Sequence, residues 1–501
     1  MNNILNIIFS KERITSSSVF LIYPDRNYAL TYSELFKTVL GIAKELKLWG
    51  VKSGDRVLVH FDNSPESVIL AFSLIIIGAV LVPVDPKISK DTLEYTINNS
   101  HCQYSIIIND NNINDTLLLK TIMYSNLINS CNISDNIENY SVDSEDEIVV
   151  LYSSGTTGNA KGIVFTYNSI INNFTEYGNA MGFNQSTRFL QVMPIFHADG
   201  WNFTLLMPYL FNSTVILTQK FDLKVCKSIF HISKEYKCNV LVAIPSILDS
   251  ILYFSERYDY SELPVFDYVI TSSEKLLKNN KESFENKFIC NVFDLYGLTE
   301  TGVISYYNKN IKWKEGSVGK LQNCVDVKFD IEGELYVKSP YLFKEYCNNE
   351  SLTNKSKRKG WFHTGDFGYI SDDGYLYLTD RKDNIINKGG EKIIPAEIDK
   401  VIMELPFINE VFTLGIDDEI YGQEIVSLVT LNDYGEITRA INSIGAYCAK
   451  NLRSNMNPNH ILVVDYFPRN SVGKKDRFKI KEQIESKKRN FILFHNTIFK
   501  F

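Results

Sequence analysis

The hydrophobic and polar positions of this chain alternate between short apolar runs and longer amphipathic segments. Val57–Val59 and Ala79–Val84 are apolar runs of strand length, and the helix-length segment Pro65–Ile77 separates them. An amphipathic helical pattern precedes them, from Leu30 to about Leu48, with Thr31 or Ser33 available as its N-cap. Strands that alternate with helices predict βαβ units and a parallel sheet.

The same alternation resumes in the middle of the chain. It predicts helices over 169–181, from Trp201 onward, over 223–236 and over 246–254, and strands over 188–193, 213–217, 240–243, 265–271 and 291–295. Residues 98–147 are rich in Asn, Asp and Ser and predict surface loops, with one further strand at 106–108. From 316 to about 380 the pattern changes to short strands and turns, which predicts a small β-rich lobe.

A glycine- and hydroxyl-rich segment, Tyr152–Gly162, lies between the apolar runs Ile148–Leu151 and Ile163–Phe165. This arrangement predicts a strand, a tight turn and a second strand. The glycines allow the backbone to approach a ligand, and free amides and hydroxyls can donate to phosphate oxygens. Taken alone, the composition also fits a surface turn. It is not a Walker A loop, because Ala160 and Gly162 replace the second glycine and the final Ser or Thr.

Composition restricts the class of protein. A chain of 501 residues exceeds what one hydrophobic core supports, and 45% hydrophobic with 22% charged residues is typical of soluble globular proteins. The net charge of -7 does not favour nucleic-acid binding. We expect a cytoplasmic protein without membrane insertion, since no convincing signal peptide is present and the longest apolar stretch, Val68–Val84, is interrupted by polar, Gly and Pro residues. Eight cysteines without paired spacing indicate neither zinc nor a disulfide framework.

Tyr152–Gly162 resembles the phosphate-binding signature of the adenylate-forming superfamily, which contains acyl-CoA synthetases, stand-alone adenylation domains and beetle luciferases. The family usually has Pro at the position of Ala160. The resemblance recurs in order between Thr31 and Arg477, in the segments 194–200, 291–300, 361–366, 379–385, 387–393 and 468–474. It implies an α/β fold with a large N-terminal domain, residues 1–382, that includes the β-rich lobe. A small mobile α+β C-terminal domain, residues 383–501, would follow.

The resemblance also implies a nucleotide site for ATP and Mg²⁺. In it, Tyr296 stacks on adenine, Asp366 and Arg381 bind the ribose, and Thr299 contacts the phosphoryl region. The whole implied set is Ser153, Ser154, Gly155, Thr156, Thr157, Gly158, Lys161, Ser273, Asp294, Tyr296, Gly297, Thr299, Asp366, Arg381 and Lys474. Thr156 and Glu300 are the implied metal ligands, and both join His197 and Lys474 as implied catalytic residues. A mobile ammonium such as that of Lys474 suits a reaction that brings two anions together.

The implied acyl pocket contains His197, Trp201 and Ser272. Similar domains that activate α-amino acids carry aspartate at the position of His197, where it pairs with the substrate ammonium. A neutral imidazole cannot supply that charge, so an ordinary small carboxylic acid is the expected substrate. Asp199 lies two residues further on and could meet a cationic group, although a solvated carboxylate or a helix cap explains it as well.

The remaining implied features concern transfer to a thiol. Asp383 matches the hinge about which the C-terminal domain turns, and Gly389 and Gly390 line a tunnel for a pantetheine arm. We therefore expect an acid–thiol ligase that uses CoA. A stand-alone enzyme that loads an acyl or amino acid onto a phosphopantetheinyl carrier protein is the alternative, because both thiols end in the same arm. A catalytically retired nucleotide sensor is the third possibility, and the joint presence of Lys474 with the other implied site residues argues against it. The sequence does not indicate the oligomeric state.

Overall fold

Three β-sheets organise the chain in its computed structural model, which describes residues 4–108, 119–130, 140–153, 160–255, 266–434, 436–469, 475–487 and 499. The helices are α1 (Leu5–Ile8), α2 (Lys11–Ile14), α3 (Tyr32–Trp49), α4 (Pro65–Ile77), α5 (Lys90–Ser100), α6 (Tyr124–Ser130), α7 (Tyr167–Met181), α8 (Ala198–Gly200), α9 (Met207–Leu210), α10 (Leu223–Glu235), α11 (Pro245–Ser255), α12 (Lys278–Phe288), α13 (Glu350–Ser356), α14 (Pro395–Met403), α15 (Ile437–Asn451) and α16 (Arg477–Lys487). The first strands are β1 (Val19–Tyr23), β2 (Tyr28–Thr31), β3 (Arg56–His60), β4 (Val80–Val84), β5 (Tyr104–Ile107), β6 (Lys120–Met123), β7 (Glu147–Ser153), β8 (Lys161–Thr166), β9 (Arg188–Gln191), β10 (Thr214–Leu217), β11 (Val240–Val242), β12 (Tyr268–Thr271) and β13 (Asn291–Leu298). The others are β14 (Gly302–Tyr306), β15 (Ser317–Leu321), β16 (Asp326–Phe329), β17 (Glu334–Lys338), β18 (Glu345–Tyr346), β19 (Lys357–Arg358), β20 (Trp361–Ile370), β21 (Tyr375–Arg381), β22 (Ile386–Lys388), β23 (Glu391–Ile393), β24 (Ile408–Asp418), β25 (Gly422–Leu431) and β26 (His460–Val463).

The first sheet contains the hairpin that the glycine-rich segment predicts. Its order is β18-β8-β7-β4-β3-β5-β6, and the pairs of β3 with β4 and with β5 are parallel. β7 and β8 pair antiparallel, with Ser153 opposite Lys161. The predicted strand-turn-strand is thus confirmed in its two strands, and the turn itself, residues 154–159, lies outside the described residues.

The second sheet joins a parallel block to the β-rich lobe. Its order is β16-β17-β20-β21-β15-β14-β13-β12-β11-β9-β10-β1-β2, with β19 paired to β20. The pairs from β10 to β13 are parallel, so the carboxyl ends of β9, β11, β12 and β13 lie at one edge. From β13 onward through the lobe the neighbouring strands are antiparallel. The lobe predicted for residues 316 to 380 is confirmed, and it continues this sheet.

The large core explains why α4 has no polar face. Every α4 residue except Glu66 is buried, in a cluster that also takes residues from α3, α7 and the first two sheets. A helix that is apolar all round belongs inside a large protein or a membrane. None of the helices in the described ranges is long and apolar enough to cross a membrane.

The third sheet forms the small α+β unit near the C-terminus. Its order is β23-β22-β25-β24, and β26 pairs parallel with β25. Ile398 of α14 and Ile444 of α15 pack in one core, whereas Ile480 and Ile484 of α16 pack in another with Leu414 of β24. The predicted fold class is confirmed. A 3₁₀ turn, Lys382–Asn384, lies at the predicted domain boundary.

The local predictions differ from the structure in two places. The loop prediction for 98–147 is wrong where β6 and α6 occur, because Tyr124 and Leu127 are buried and anchor this polar segment. The helix predicted from Trp201 already begins at Ala198, and it continues through a π-helical segment, Trp201–Leu206. By contrast, the predicted N-cap is confirmed, since Thr31 and Glu34 form a capping box on α3.

Helix α12 ends on a residue that is poorly suited to its backbone. Ile289 follows the helix with φ 50° and ψ 48°, and its side chain is 81% exposed. A side chain costs roughly 1–2 kcal/mol in this left-handed region, and glycine avoids that cost. Glycine at this position would therefore stabilise the folded state, but part of that stabilisation is lost because glycine has a larger conformational entropy in the unfolded chain.

We therefore expect Ile289→Gly to raise the free energy of unfolding by about 1 kcal/mol in urea denaturation. Ile420→Gly is a matched control, because Ile420 is 82% exposed but has no positive φ. This control is expected to leave stability unchanged or to lower it slightly. Equal effects of the two substitutions would contradict the explanation.

Candidate active site

Several of the site residues implied by the sequence lie at or after the carboxyl ends of parallel strands. His197 follows β9, Ser272 and Ser273 follow β12, and Tyr296 lies near the end of β13. Ligands in open α/β sheets bind outside the carboxyl ends of the strands. Topology therefore explains why segments that are distant in sequence converge on one edge.

Asp366 is the centre of the best-defined polar cluster at the site. It lies on β20, opposite Arg381 of β21 in the sheet register. Its Oδ1 accepts a hydrogen bond from Arg381 Nε at 2.7 Å, and its Oδ2 accepts one from the Tyr296 hydroxyl at 2.5 Å. Asp366 is 4% exposed. The two hydrogen bonds hold its buried carboxylate in a fixed orientation.

The electrostatic environment of this cluster keeps the Tyr296 phenol and the Arg381 guanidinium protonated. Burial, and after it the charge of Asp366, raises the pKa of the Tyr296 phenol well above its usual value. Burial lowers the pKa of Arg381, but Asp366 outweighs it and the net shift is upward. Tyr296 therefore remains a hydrogen-bond donor and Arg381 a cation near neutral pH.

Glu300 lies in the turn after β13 and is held at two points. Its backbone oxygen accepts a hydrogen bond from Phe343 N at 2.9 Å, and its Oε1 accepts one from the Tyr346 hydroxyl at 2.8 Å. Burial, followed by the charge of Glu300, raises the pKa of Tyr346. The turn itself needs Gly297, because a Cβ there would lie 2.1 Å from the backbone oxygen of Gly302.

Lys161 connects the phosphate hairpin to the Glu300 turn. Its Nζ lies 5.8 Å from the centroid of the Tyr346 ring. Tyr346 pairs with Ile163 across β18 and β8, which places it beside the first strand after the glycine-rich turn. Ser153 ends β7 opposite Lys161. The phosphate hairpin and the Glu300 carboxylate are thus neighbours.

The residues of the implied acyl pocket form a second polar group. His197 caps the helical turn that begins at Ala198, with its Nδ1 accepting a hydrogen bond from Asp199 N at 3.4 Å. Ser273 donates to Asp199 Oδ2 at 2.7 Å. Asp199 is thus not the helix cap, and it connects the loops after β9 and β12.

Four of the implied residues have particular surroundings. Trp201 is fully buried, with its ring centroid 6.3 Å from that of Phe61, and Ser272 is 7% exposed. Ser273 has φ 74°, a backbone conformation that favours glycine. Asp294 is buried on β13, and burial raises the pKa of its carboxyl well above its usual value.

Several implied residues fall outside the described part of the chain. They are Ser154, Gly155, Thr156, Thr157, Gly158 and Lys474. Arg469 and Lys475, which flank the segment with Lys474, pair in an antiparallel bridge. Glu410 Oε2 lies 3.1 Å from Arg469 Nη2 and 2.9 Å from Lys475 Nζ. One carboxylate of β24 therefore joins both ends of that segment.

The implied tunnel glycines form a tight turn. Gly389 and Gly390 connect β22 to β23, with φ values of 60° and 83°. Positive φ at both central residues is typical of a two-residue hairpin turn, which explains the glycine pair independently of any ligand. Asp383 lies in the 3₁₀ turn Lys382–Asn384. Asp380 spans this turn, accepting bonds from Asn384 Nδ2 and from the backbone of Ala396 in α14.

A cavity of about 500 Å³ lies away from these residues. It is lined by residues that include Arg56, Glu147 and Lys344, at the amino ends of the strands of the first sheet. Glu147 forms ion pairs with both Arg56 and Lys344. The Glu147 carboxylate at this cavity therefore already pairs with both of these cations.

Tyr346 and Glu410 are site-associated residues that the sequence patterns do not reveal. Tyr346 belongs to a strand of only two residues, and Glu410 acts through ion pairs that span 59 and 65 positions of the chain. Local patterns carry no signal for such pairs. Asp199 stands out in the sequence as an acidic residue near the implied acyl pocket, but its contact with Ser273 depends on the fold.

The sheet edge, the buried carboxylate beside an aromatic ring, and the C-terminal α+β unit fit the adenylate-forming type of enzyme that the sequence resembles. The chain belongs to the AMP-binding enzyme family: the family model matches residues 11–347, and the model of the family's C-terminal domain matches residues 397–474.

Curated relatives agree with this assignment, and a solved structure shares the fold. The long-chain-fatty-acid–CoA ligase FadD13 of Mycobacterium tuberculosis (strain H37Rv) is 27% identical over 94% of this chain and 97% of its own length. The 2-succinylbenzoate–CoA ligase of Bacillus subtilis (strain 168) is 26% identical over 95% of this chain and 97% of its own. The solved O-succinylbenzoate coenzyme A synthetase of Bacillus subtilis, in complex with ATP and magnesium ion, has a TM-score of 0.82 at 24% identity, covering 95% of this chain and 99% of that one.

Proposed function

We propose that this protein is an AMP-forming acid–thiol ligase. It converts ATP and a carboxylic acid to an acyl-adenylate and pyrophosphate, and then transfers the acyl group to coenzyme A. The observation that carries the proposal is the Asp366 carboxylate, which Tyr296 and Arg381 hold in one orientation at the ligand-binding edge. Such a carboxylate suits the two neighbouring hydroxyls of a ribose. Family membership supports adenylate chemistry, and the names of both relatives support CoA as the acceptor.

The remaining nucleotide contacts follow from the same arrangement. The ring of Tyr296 would lie against adenine, and Arg381 would contact the ribose beside Asp366. Lys161 and the hydroxyls and amides of residues 153–158 would bind the phosphates, with Thr299 near the reacting phosphoryl group. Ser273 follows β12, and Asp294 and Gly297 lie on β13; these two strands would border the nucleotide.

The residues present fit magnesium that is bound mainly through ATP. Among the described residues, no group of three or more His, Cys, Asp or Glu side chains could form a metal site of its own. Mg²⁺ in nucleotide enzymes is commonly held by one or two carboxylates and the substrate phosphates. Glu300 uses only Oε1 for its bond within the described chain, so Oε2 is available as a ligand, with Thr156 as the proposed second ligand. When bound, the ion would neutralise phosphate charge during displacement of pyrophosphate.

His197 supports an ordinary carboxylic acid as substrate. Its Nδ1 accepts a hydrogen bond from Asp199 N and lies 3.7 Å from Asp199 Oδ2. A neutral imidazole offers no counter-charge for an α-ammonium group. We propose that the acid lies between His197, Trp201 and Ser272, with its carboxylate directed at the α-phosphate of ATP.

The two half-reactions would use two positions of the C-terminal unit. In the first, Lys474 neutralises charge that develops between the carboxylate and the α-phosphate. The unit then turns about Asp383, which withdraws Lys474 and brings the Gly389–Gly390 turn to the thiol. The exposed ion pair of Lys392 with Glu332, at 2.8 Å, would oppose such a movement only weakly, because exposed pairs of this kind contribute only about 0–1 kcal/mol.

Exchange of labelled pyrophosphate into ATP tests the adenylation step across many acids in a single assay format. A panel of aliphatic, aromatic and amino acids should contain at least one acid that supports exchange, and that acid should form a thioester with CoA. If a thioester formed only on a carrier protein, the carrier protein would replace CoA as the proposed acceptor. Binding of ATP without exchange for any acid would indicate a nucleotide sensor and would overturn the proposal.

A further inference from the structure

Tyr346 lies between two parts of the proposed phosphate site. It belongs to the two-residue strand β18, which pairs with β8 directly after the phosphate turn. The side chain is 4% exposed, and its ring packs on Phe343 with centroids 4.7 Å apart. Both the pairing of β18 with β8 and the ring contact with Phe343 therefore fix the position of Tyr346.

Glu300 is held by this short segment at both its backbone and its side chain. Phe343 N donates to the Glu300 backbone oxygen at 2.9 Å, and the Tyr346 hydroxyl donates to Oε1 at 2.8 Å. A hydrogen bond from a buried hydroxyl to a carboxylate is stronger than one between neutral groups. It also restricts rotation of the carboxylate, which otherwise has a broad terminal torsion.

The ring of Tyr346 also faces the phosphate hairpin. Lys161 Nζ lies 5.8 Å from the ring centroid, within the range of a cation–π contact. One side chain thus contacts both a cation proposed for the ATP phosphates and the carboxylate proposed for the metal ion.

We propose that Tyr346 is a positioning residue for metal-bound ATP. Its hydroxyl holds Oε1 of Glu300 and thereby presents Oε2 as the metal ligand, and its ring keeps Lys161 beside the phosphates. This inference rests on the proposed function, because it assigns the metal to Glu300. A purely structural tyrosine would support the fold through its ring and would have no effect on metal affinity through its hydroxyl.

Tyr346→Phe removes the hydroxyl and keeps the ring, so it separates these two roles. Electron paramagnetic resonance of free Mn²⁺ measures metal binding to the complex of the full chain with ATP, independently of turnover, when the protein is in excess so that no ATP is left unbound. We expect Tyr346→Phe to weaken Mn²⁺ binding about 10-fold, since partners of metal ligands typically change metal affinity by about 10- to 100-fold. ATP affinity in the presence of EDTA is expected to remain unchanged.

Tyr336→Phe is the matched control, because the Tyr336 hydroxyl also bonds a carboxylate, that of Asp330, at 3.2 Å. This control should leave Mn²⁺ binding unchanged. Glu300→Gln, alone and combined with Tyr346→Phe, tests whether the tyrosine acts through Glu300. The double variant should bind Mn²⁺ no more weakly than Glu300→Gln alone.

Unchanged Mn²⁺ affinity in Tyr346→Phe would overturn the inference, whether or not the melting temperature falls. Losses that add fully in the double variant would overturn it as well, because the tyrosine would then act independently of Glu300. Failure of the proposed function gives a different result. In that case the wild-type chain itself would bind no ATP or would support no pyrophosphate exchange.

Discussion

The Lys474→Ala variant is expected to form acyl-adenylate more slowly than the wild type by about two or more orders of magnitude. The reaction brings a carboxylate against an α-phosphate, and removal of the ammonium leaves their repulsion and the developing charge uncompensated. Transfer to the thiol is expected to be largely retained when the acyl-adenylate is supplied, because Lys474 is proposed to leave the site before that step. Separate rapid-quench assays of the two half-reactions measure both effects.

A second lysine variant controls for loss of charge in the C-terminal unit. Lys479 lies exposed on α16, and Lys479→Ala is expected to leave both half-reactions unchanged. Lys475 is less suitable, because its Nζ is engaged by Glu410 at 2.9 Å and by the Val411 backbone oxygen at 3.1 Å. An equal fall of both half-reactions in Lys474→Ala would contradict the assignment of two positions to this unit.

The second large effect is expected for Asp366→Asn, which should weaken ATP binding about 100-fold, or by about 3 kcal/mol. The substitution removes a buried charge from Arg381 and replaces one acceptor oxygen with an amide that cannot accept bonds from a ribose hydroxyl. It also leaves Arg381, or the Tyr296 hydroxyl, with a poorer partner. Isothermal titration calorimetry with ATP measures the loss.

The ribose contact can be isolated with a nucleotide that lacks both hydroxyls. Wild-type protein should prefer ATP to 2′,3′-dideoxy-ATP, and Asp366→Asn should lose most of this preference. Asp373→Asn is the matched control, since Asp373 is an exposed carboxylate between β20 and β21 that contacts Lys314 and Ser371. Equal loss of affinity for both nucleotides would place Asp366 away from the ribose.

Much of the architecture follows from patterns that are local in sequence. Apolar runs separated by amphipathic segments indicate the parallel strands of the first two sheets. Thr31 with Glu34 marks the start of α3. The failure at β6 and α6 has a physical cause as well. Buried Tyr124 and Leu127 are sparse within a polar segment, so composition alone suggests a loop although the tertiary structure buries them.

The candidate site depends on pairs that no local pattern reveals. Tyr296 and Asp366 are separated by 70 positions, and Glu300 and Tyr346 by 46 positions. The family resemblance indicates Tyr296, Glu300 and Asp366 individually. The bond between Tyr296 and Asp366 depends on strand positions within the second sheet and its lobe, whereas the bond between Glu300 and Tyr346 joins the turn after β13 to β18 of the first sheet. Tyr346 escapes prediction because nothing in its sequence neighbourhood indicates a contact with Glu300.

The fate of the carboxylate oxygen tests the proposed chemistry most directly. An acid that supports pyrophosphate exchange is labelled with ¹⁸O in both carboxylate oxygens and incubated with the protein, ATP, Mg²⁺ and CoA. Attack of the carboxylate on the α-phosphorus, followed by thiol attack on the acyl carbon, transfers one labelled oxygen to AMP. We therefore expect AMP with a single ¹⁸O alongside the acyl-CoA thioester. Label in inorganic phosphate together with ADP would show attack at the γ-phosphorus and would contradict the proposed adenylation.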